Sequence, residues 1–163
     1  PYNLANVVTA MTVASYFEVD WEVIQDALQT FQPESNRSEQ VIWRDNTILL
    51  DAYNANPNSM KAAIDSFARI KGPQKKIMVL GEMYELGEYA AEEHWEVAAM
   101  CEKYPDIDLI LVGEGFKKYA LECGVNWYPD AVILRAAWEK SPPSNSHLLL
   151  KGSRGVALEK ILF

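Results

Sequence analysis

"LLDAYNANPNSM", residues 49–60, is the stretch on which the fold turns. An apolar run stops abruptly at Asp51, and Tyr53, Asn54 and Asn56 follow within five residues. Pro57 then suits the first position of a helix, where its missing N–H costs nothing. A strand that ends in polar residues and hands over to a helix is the unit of an open α/β sheet. In such sheets ligands collect in the crevice beyond the carboxyl ends of the strands. A plain polar turn is the competing reading, because Asn and Asp favour turns for local backbone reasons.

The same alternation continues downstream. "KKIMVLG" (75–81), "DLILVG" (108–113) and "HLLLKG" (147–152) are continuous apolar runs of the buried parallel-strand kind. Helical patterns separate them near 57–70, 90–104, 115–123 and 130–139, with a short "VNWY" strand at 125–128 and a last helix over "GVALEKILF". Upstream, "QVIWRD" and "TILLDAY" flank Asp45-Asn46, a two-residue hairpin signal. The fold class is therefore α/β: a Rossmann-like, mostly parallel open sheet with helices on both faces.

Residues 3–17 and 20–31 differ in character. Leu4, Val7, Val8, Met11 and Phe17, then Val23, Ile24, Ala27, Leu28 and Phe31, recur at helical spacing, with Asp20 placed as an N-cap. "QPESNRSE" breaks the pattern, so the boundary falls near residues 32–36. The division is a helical piece over 1–32 and an α/β domain over 33–163. An opening without Met that enters helical spacing at once reads as a piece of a longer chain.

Composition narrows the function. The net charge of −8 argues against broad nucleic-acid binding, which needs a basic footprint. No apolar run approaches the roughly 18 residues of a membrane span. Two cysteines in 163 residues give no disulfide framework and suit a reducing cytoplasm. No close Cys/His cluster supports a structural zinc site, and no metal site is expected on these residues.

Three strand ends are polar or Gly-rich: "DAYNANP", "LGEMYELGE" and "KGSRG". If their strands are neighbours, all three converge on one edge of the sheet. Lys151, Ser153 and Arg154 then make a reasonable site for a carboxylate or phosphate, helped by helix N–H groups; a solvated loop is the alternative. Glu82, Glu85 and Glu88 could hold a cation or work as acid and base, but solvated loop carboxylates are the commoner case. His94 could be a general base or an ordinary packing residue on an amphipathic helix. Tyr53 either stacks on a substrate or packs over the strand end. "VGEG" (112–115) lacks the third Gly of a dinucleotide fingerprint, and no Walker-type loop occurs in the 163 residues.

Taken in order, "YNLANVVTAM", "FQPESNRSE", "DAYNANPNSMKAAI", "VLGEMYELGE" with His94, and "KGSRGVALEKI" resemble the carboxyl-terminal part of the Mur ligases. The resemblance runs nearly the whole chain, and the DAYNANP and KGSR segments resemble the member that adds a dipeptide. It implies that residues 1–32 are the closing helices of a central ATPase domain and that 33–163 form the family's last, Rossmann-like domain. It implies ATP-dependent amide synthesis with Mg in peptidoglycan assembly. The carboxylate of UDP-N-acetylmuramoyl-tripeptide is phosphorylated, and the amine of D-Ala-D-Ala attacks the acyl phosphate. Residue by residue, Asn3 and Asn6 match nucleotide-side asparagines, Arg37 an arginine that reaches the ATP phosphates or ribose, and Asp51 a ribose-binding aspartate. Tyr53, Asn54 and Asn56 match the active-site turn, and Lys151, Ser153 and Arg154 fall near the incoming dipeptide. Asn54, Asn56 and Lys151 are thereby expected at the reacting groups, and Tyr53, Ser153 and Arg154 at the substrate. Tyr2 departs from the His often found before the first asparagine. A cytoplasmic monomer, inactive without its upstream domains, is the expectation. Another Mur-type amino-acid ligase is the nearer alternative; a phospho-receiver domain, with Asp51 and Lys151 as its acid and lysine, is a remote one because the third central strand ends in Val112-Gly113 without an acceptor Asp.

Overall fold

The computed structural model describes residues 4–31 and 36–162, and the chain divides into two units, Pro1–Pro33 and Glu34–Phe163. In the first unit, α1 (Leu4–Tyr16) and α2 (Trp21–Thr30) are the two helices among the described residues. Asp20 sits at the N-cap of α2, but its carboxylate makes no capping bond. Ile24 is the buried apolar side chain of α2, and α1 buries none. The expected domain boundary lies at residues 32–35, outside the described residues, as does Asn3.

The second unit holds β1 (Glu39–Trp43), β2 (Asn46–Asp51), α3 (Pro57–Ala68), β3 (Lys75–Gly81), α4 (Ala90–Met100) and β4 (Ile107–Val112). It continues with α5 (Lys117–Cys123), β5 (Asn126–Tyr128), α6 (Ala131–Lys140) and β6 (Ser146–Lys151). Among the described residues the strands form one six-stranded sheet in the order β1-β2-β6-β3-β4-β5, parallel throughout except for the β1–β2 hairpin.

Strand periodicity splits the core in two. Leu49, Met78, Leu80 and Leu149 face α3, α4 and α5, meeting Met60, Ile64, Phe67, Val97 and Tyr119. Their neighbours Ile48, Leu50, Ile77, Val79, Leu148 and Leu150 face the other way, against Leu134 and Trp138 of α6 and against Leu158 and Ile161. A parallel strand covered on both sides has to be apolar at every position, which is why these runs show no alternation.

Two expectations are corrected. The hairpin turn is Arg44-Asp45, with Arg44 at φ 57°, and not Asp45-Asn46. Asn46 is instead the first residue of β2, buried, with its amide donating to the Trp43 and Pro143 carbonyls and its oxygen accepting from Ser146 N–H. The final segment is also not one helix. It is two 3-10 turns, Arg154–Val156 and Leu158–Ile161, interrupted by Ala157 at φ 53°. Burial of Leu158, Ile161 and Leu162 under the sheet, with Trp43 Nε1 donating to the Leu162 carbonyl at 2.9 Å, holds this bent path.

Candidate functional site

The order β2-β6-β3 makes neighbours of the three polar strand ends, so the segments after Asp51, Gly81 and Lys151 do converge on one edge. Asp51 and Lys151 are directly opposite in the parallel register, and Lys151 Nζ donates to Asp51 Oδ2 at 2.6 Å. The lysine side chain is 2% exposed and the aspartate 12%. Burying an ammonium group is costly unless a partner comes with it, and Asp51 is that partner. The Asn54 carbonyl accepts a second, longer bond from Lys151 at 3.4 Å. Lys151 is thus turned inward, where an open carboxylate-binding lysine was expected.

Asp51 is also tied to a segment that the sequence pattern did not mark. Ser38 donates to Asp51 Oδ1 from its backbone N–H at 3.1 Å and from its hydroxyl at 3.5 Å. Asn36 and Ser38 both have positive φ, near 60° and 55°, so Arg37 stands between two left-handed residues. For a non-glycine residue that conformation is costly and needs surroundings that hold it. Here the bonds from Ser38 to Asp51 do so, and they fix where Arg37 emerges.

Arg37 emerges over Tyr53. Its guanidinium carbon lies 3.8 Å from the ring centroid, and that of Arg154 lies 5.4 Å from the same centroid. Tyr53 is 36% exposed, and both arginines are exposed. Of the two readings of Tyr53, the ring's neighbours are cations and not the strand end alone.

The remaining turn residues have local duties. Asn54 Oδ1 accepts from the Ala55 N–H at 2.9 Å. Asn56 is the N-cap of α3: its Oδ1 accepts from Ser59 N–H at 2.9 Å, and Ser59 Oγ accepts the Asn56 N–H at 3.1 Å, a complete capping box. Asn56 was expected at the reacting groups; its oxygen serves the helix cap, and its exposed amide NH2 stays on the same strand end. Ser153 is also enclosed, at 4% exposure; its Oγ accepts from Tyr84 N–H at 3.0 Å and its own N–H donates to the Glu82 carbonyl at 3.1 Å. It laces the ends of β3 and β6 together and does not open toward a ligand. That lacing needs close backbones: a Cβ on Gly152 would sit 2.8 Å from the Gly81 Cα, and one on Gly155 only 2.4 Å from the Tyr84 ring. Among the described residues the segment from Arg154 forms 3-10 turns and not an α-helix, so the α-helix N-terminus expected to aid an anion there is not formed.

The acidic loop resolves toward its bland reading. Glu85 and Glu88 are exposed, while Glu82 Oε1 accepts from Gly115 N–H at 3.2 Å. Burial, and next the Glu82 carboxylate, push the Tyr84 hydroxyl above its usual range. His94 is buried edge-on against Phe116, its Nε2 accepting from Met83 N–H at 2.9 Å and its Nδ1 lying 2.6 Å from the Ala90 carbonyl. One ring nitrogen accepts and the other donates, so this is a neutral structural histidine joining α4 to the end of β3. Among the described residues no three His, Cys, Asp or Glu side chains converge as a metal cage. In the other unit, Asn6 is exposed on α1.

The carboxyl edge of this parallel sheet carries a buried acid–lysine pair and two exposed arginines, the edge at which open α/β sheets commonly bind ligands. The chain's relatives make the class specific. Residues 36–154 match the family described as Mur ligase, glutamate ligase domain, and the chain belongs to that family. It is 33% identical to the UDP-N-acetylmuramoyl-tripeptide–D-alanyl-D-alanine ligase of Bacillus subtilis (strain 168), over 99% of this chain and 37% of that protein. The ligase of the same name from Treponema pallidum (strain Nichols) is 32% identical, over 98% of this chain and 36% of its own. Among solved structures, MurF from Acinetobacter baumannii superimposes with a TM-score of 0.80 at 27% identity, covering 98% of this chain and 36% of that one. The chain thus spans little more than a third of the length of these relatives. The phospho-receiver alternative falls with the family membership.

Proposed function

We propose that this chain is the carboxyl-terminal part of an ATP-dependent ligase that joins D-Ala-D-Ala to UDP-N-acetylmuramoyl-tripeptide in peptidoglycan synthesis. The observation that carries the reading is the cluster of Arg37, Tyr53 and Arg154 beside the Asp51–Lys151 pair, in a chain 33% identical to a ligase of that name. Residues 1–32 are then the closing helices of a central ATPase domain, with Asn3 and Asn6 on the nucleotide side, and residues 33–163 the family's last domain.

In this reading a tripeptide carboxylate oxygen attacks the γ-phosphorus of ATP, and ADP leaves. The dipeptide amine attacks the acyl carbon, phosphate departs, and the amine nitrogen gives up a proton. Arg37 faces the ATP phosphates, where a guanidinium can make two parallel bonds to oxygen. Arg154 faces the dipeptide carboxylate and so aims its amine. Asp51 meets the ribose hydroxyls as an acceptor, with Lys151 holding its carboxylate in place from inside the domain. Among the described residues no three His, Cys, Asp or Glu side chains converge, and in this scheme the Mg ligands belong to the central domain.

The test is the full-length protein incubated with UDP-N-acetylmuramoyl-tripeptide, ATP and D-Ala-D-Ala. The expected result is phosphate release together with a product heavier by the dipeptide, read by mass spectrometry. Phosphate release without that product, or equal incorporation of L-Ala-L-Ala, would overturn the assignment.

A further inference from the structure

We infer that Tyr53 is a positioning residue that couples the nucleotide and dipeptide subsites, because one ring holds both Arg37 and Arg154. The inference rests on the functional reading above and adds to it a residue that acts on both substrates at once.

Three separate segments meet here. Arg37 precedes β1, Tyr53 follows β2 and Arg154 follows β6. With both guanidinium carbons close to one centroid, at 3.8 and 5.4 Å, the two cations can be no farther apart than the sum of those distances. Like charges gathered this way repel, and the ring's electron-rich face offsets part of that repulsion. Four surface cations pair with carboxylates: Lys61 with Glu96, Lys75 with Asp108, Lys117 with Glu114 and Arg135 with Glu139. Among the described residues Arg37 and Arg154 have no carboxylate within ion-pair distance, and what sets them apart is that they share one ring, whereas Arg44 over Trp43 and Lys118 over Trp95 stand singly. Two guanidinium groups gathered on one exposed ring make a place suited to anions.

The coupling follows from the shared ring. An anion on Arg37 draws that guanidinium and fixes the ring it rests on, and the fixed ring presents Arg154 in one position. A ligand on Arg154 acts on Arg37 in the reverse sense, and the two effects on affinity are equal by linkage. The phenol oxygen plays no part in this. The ring does.

The experiment compares Tyr53→Leu and Tyr53→Phe in the full-length enzyme, with ATP and D-Ala-D-Ala each varied. Tyr53→Leu is expected to raise KM for both substrates by about two- to fivefold, the range of an exposed cation–ring contact. Tyr53→Phe should keep both within about twofold of the unsubstituted enzyme. Arg37→Ala should raise KM for D-Ala-D-Ala in the unsubstituted background and leave it unmoved in Tyr53→Leu. A rise in only one KM for Tyr53→Leu, or equal damage from Phe and Leu, would overturn the coupling. Selective 15N-arginine labelling supplies a readout that needs no turnover. The Nε–Hε signals of Arg37 and Arg154 should carry ring-current shifts that vanish in Tyr53→Leu and persist in Tyr53→Phe. Unshifted signals in the unsubstituted protein would overturn the positioning role. If that protein used neither substrate, the functional reading would fail, and the ring-current comparison would still decide whether Tyr53 holds both arginines.

Discussion

Lys151 carries its charge at 2% exposure because Asp51 meets it at 2.6 Å. Lys151→Met should therefore destabilise the α/β domain by about 3–5 kcal/mol, toward the lower figure because Asp51 keeps some contact with water. Adding Asp51→Leu should return only part of that loss: it removes the buried carboxylate, but also the acceptor that holds Ser38. Urea unfolding of the two variants checks this; a double variant no more stable than the single one would show that the pair does not act as a unit. The sequence displayed the chemistry of both residues, and their positions after apolar runs placed them on the same edge. It did not display their union, because 100 residues separate them and the register of β2 against β6 is a tertiary fact. The grip of Ser38 on Asp51 was hidden for the same reason, and so was the meeting of Arg37 with Tyr53.

At the level of elements, pattern succeeded wherever burial was uniform and failed where a single long-range contact redirected the chain. The apolar runs of β3, β4 and β6 could be nothing but covered strands, and Pro57 announced α3. The hairpin slipped by one residue because the loop around Pro143 and Ser146 captures the Asn46 amide, a partner nearly a hundred residues away. The last helix dissolved into turns because Leu158 and Ile161 are drawn under the sheet. Asn56 was read for chemistry alone, and it also has an architectural duty as the cap of α3. Asn56→Ala should cost about 1 kcal/mol of domain stability. A thermal or urea midpoint is the measurement, with Asn56→Asp retaining the cap; equal loss in both variants would mean the oxygen is not what matters.

For the molecule as a whole, the sheet order explains why the polar edge is shared out among distant segments. Phosphoryl transfer depends on positioned donors and metal around the β- and γ-phosphates. The 163 residues contain no phosphate-cradling loop, and Arg37 and Asp51 alone offer few contacts. This chain by itself should bind ATP no more tightly than about millimolar and turn over neither substrate. Calorimetry with ATP and magnesium, run beside a phosphate-release assay, tests that; micromolar binding would mean that the described surface holds far more of the nucleotide than its arginines suggest.

The place of β6 has a consequence in time. Among the described residues it is the last strand along the chain, yet it lies between β2 and β3 and joins the β1–β2 hairpin to the β3-β4-β5 layer. As a nascent chain lengthens, residues 36–145 hold two half-sheets whose facing edges have no partner. Closure waits for residues 146–151. Contacts between segments so far apart in the chain form slowly, and open strand edges are where unfinished chains adhere to one another. The sheet is sealed by these six residues, and the polar edge is completed by Lys151 among them and Arg154 just beyond.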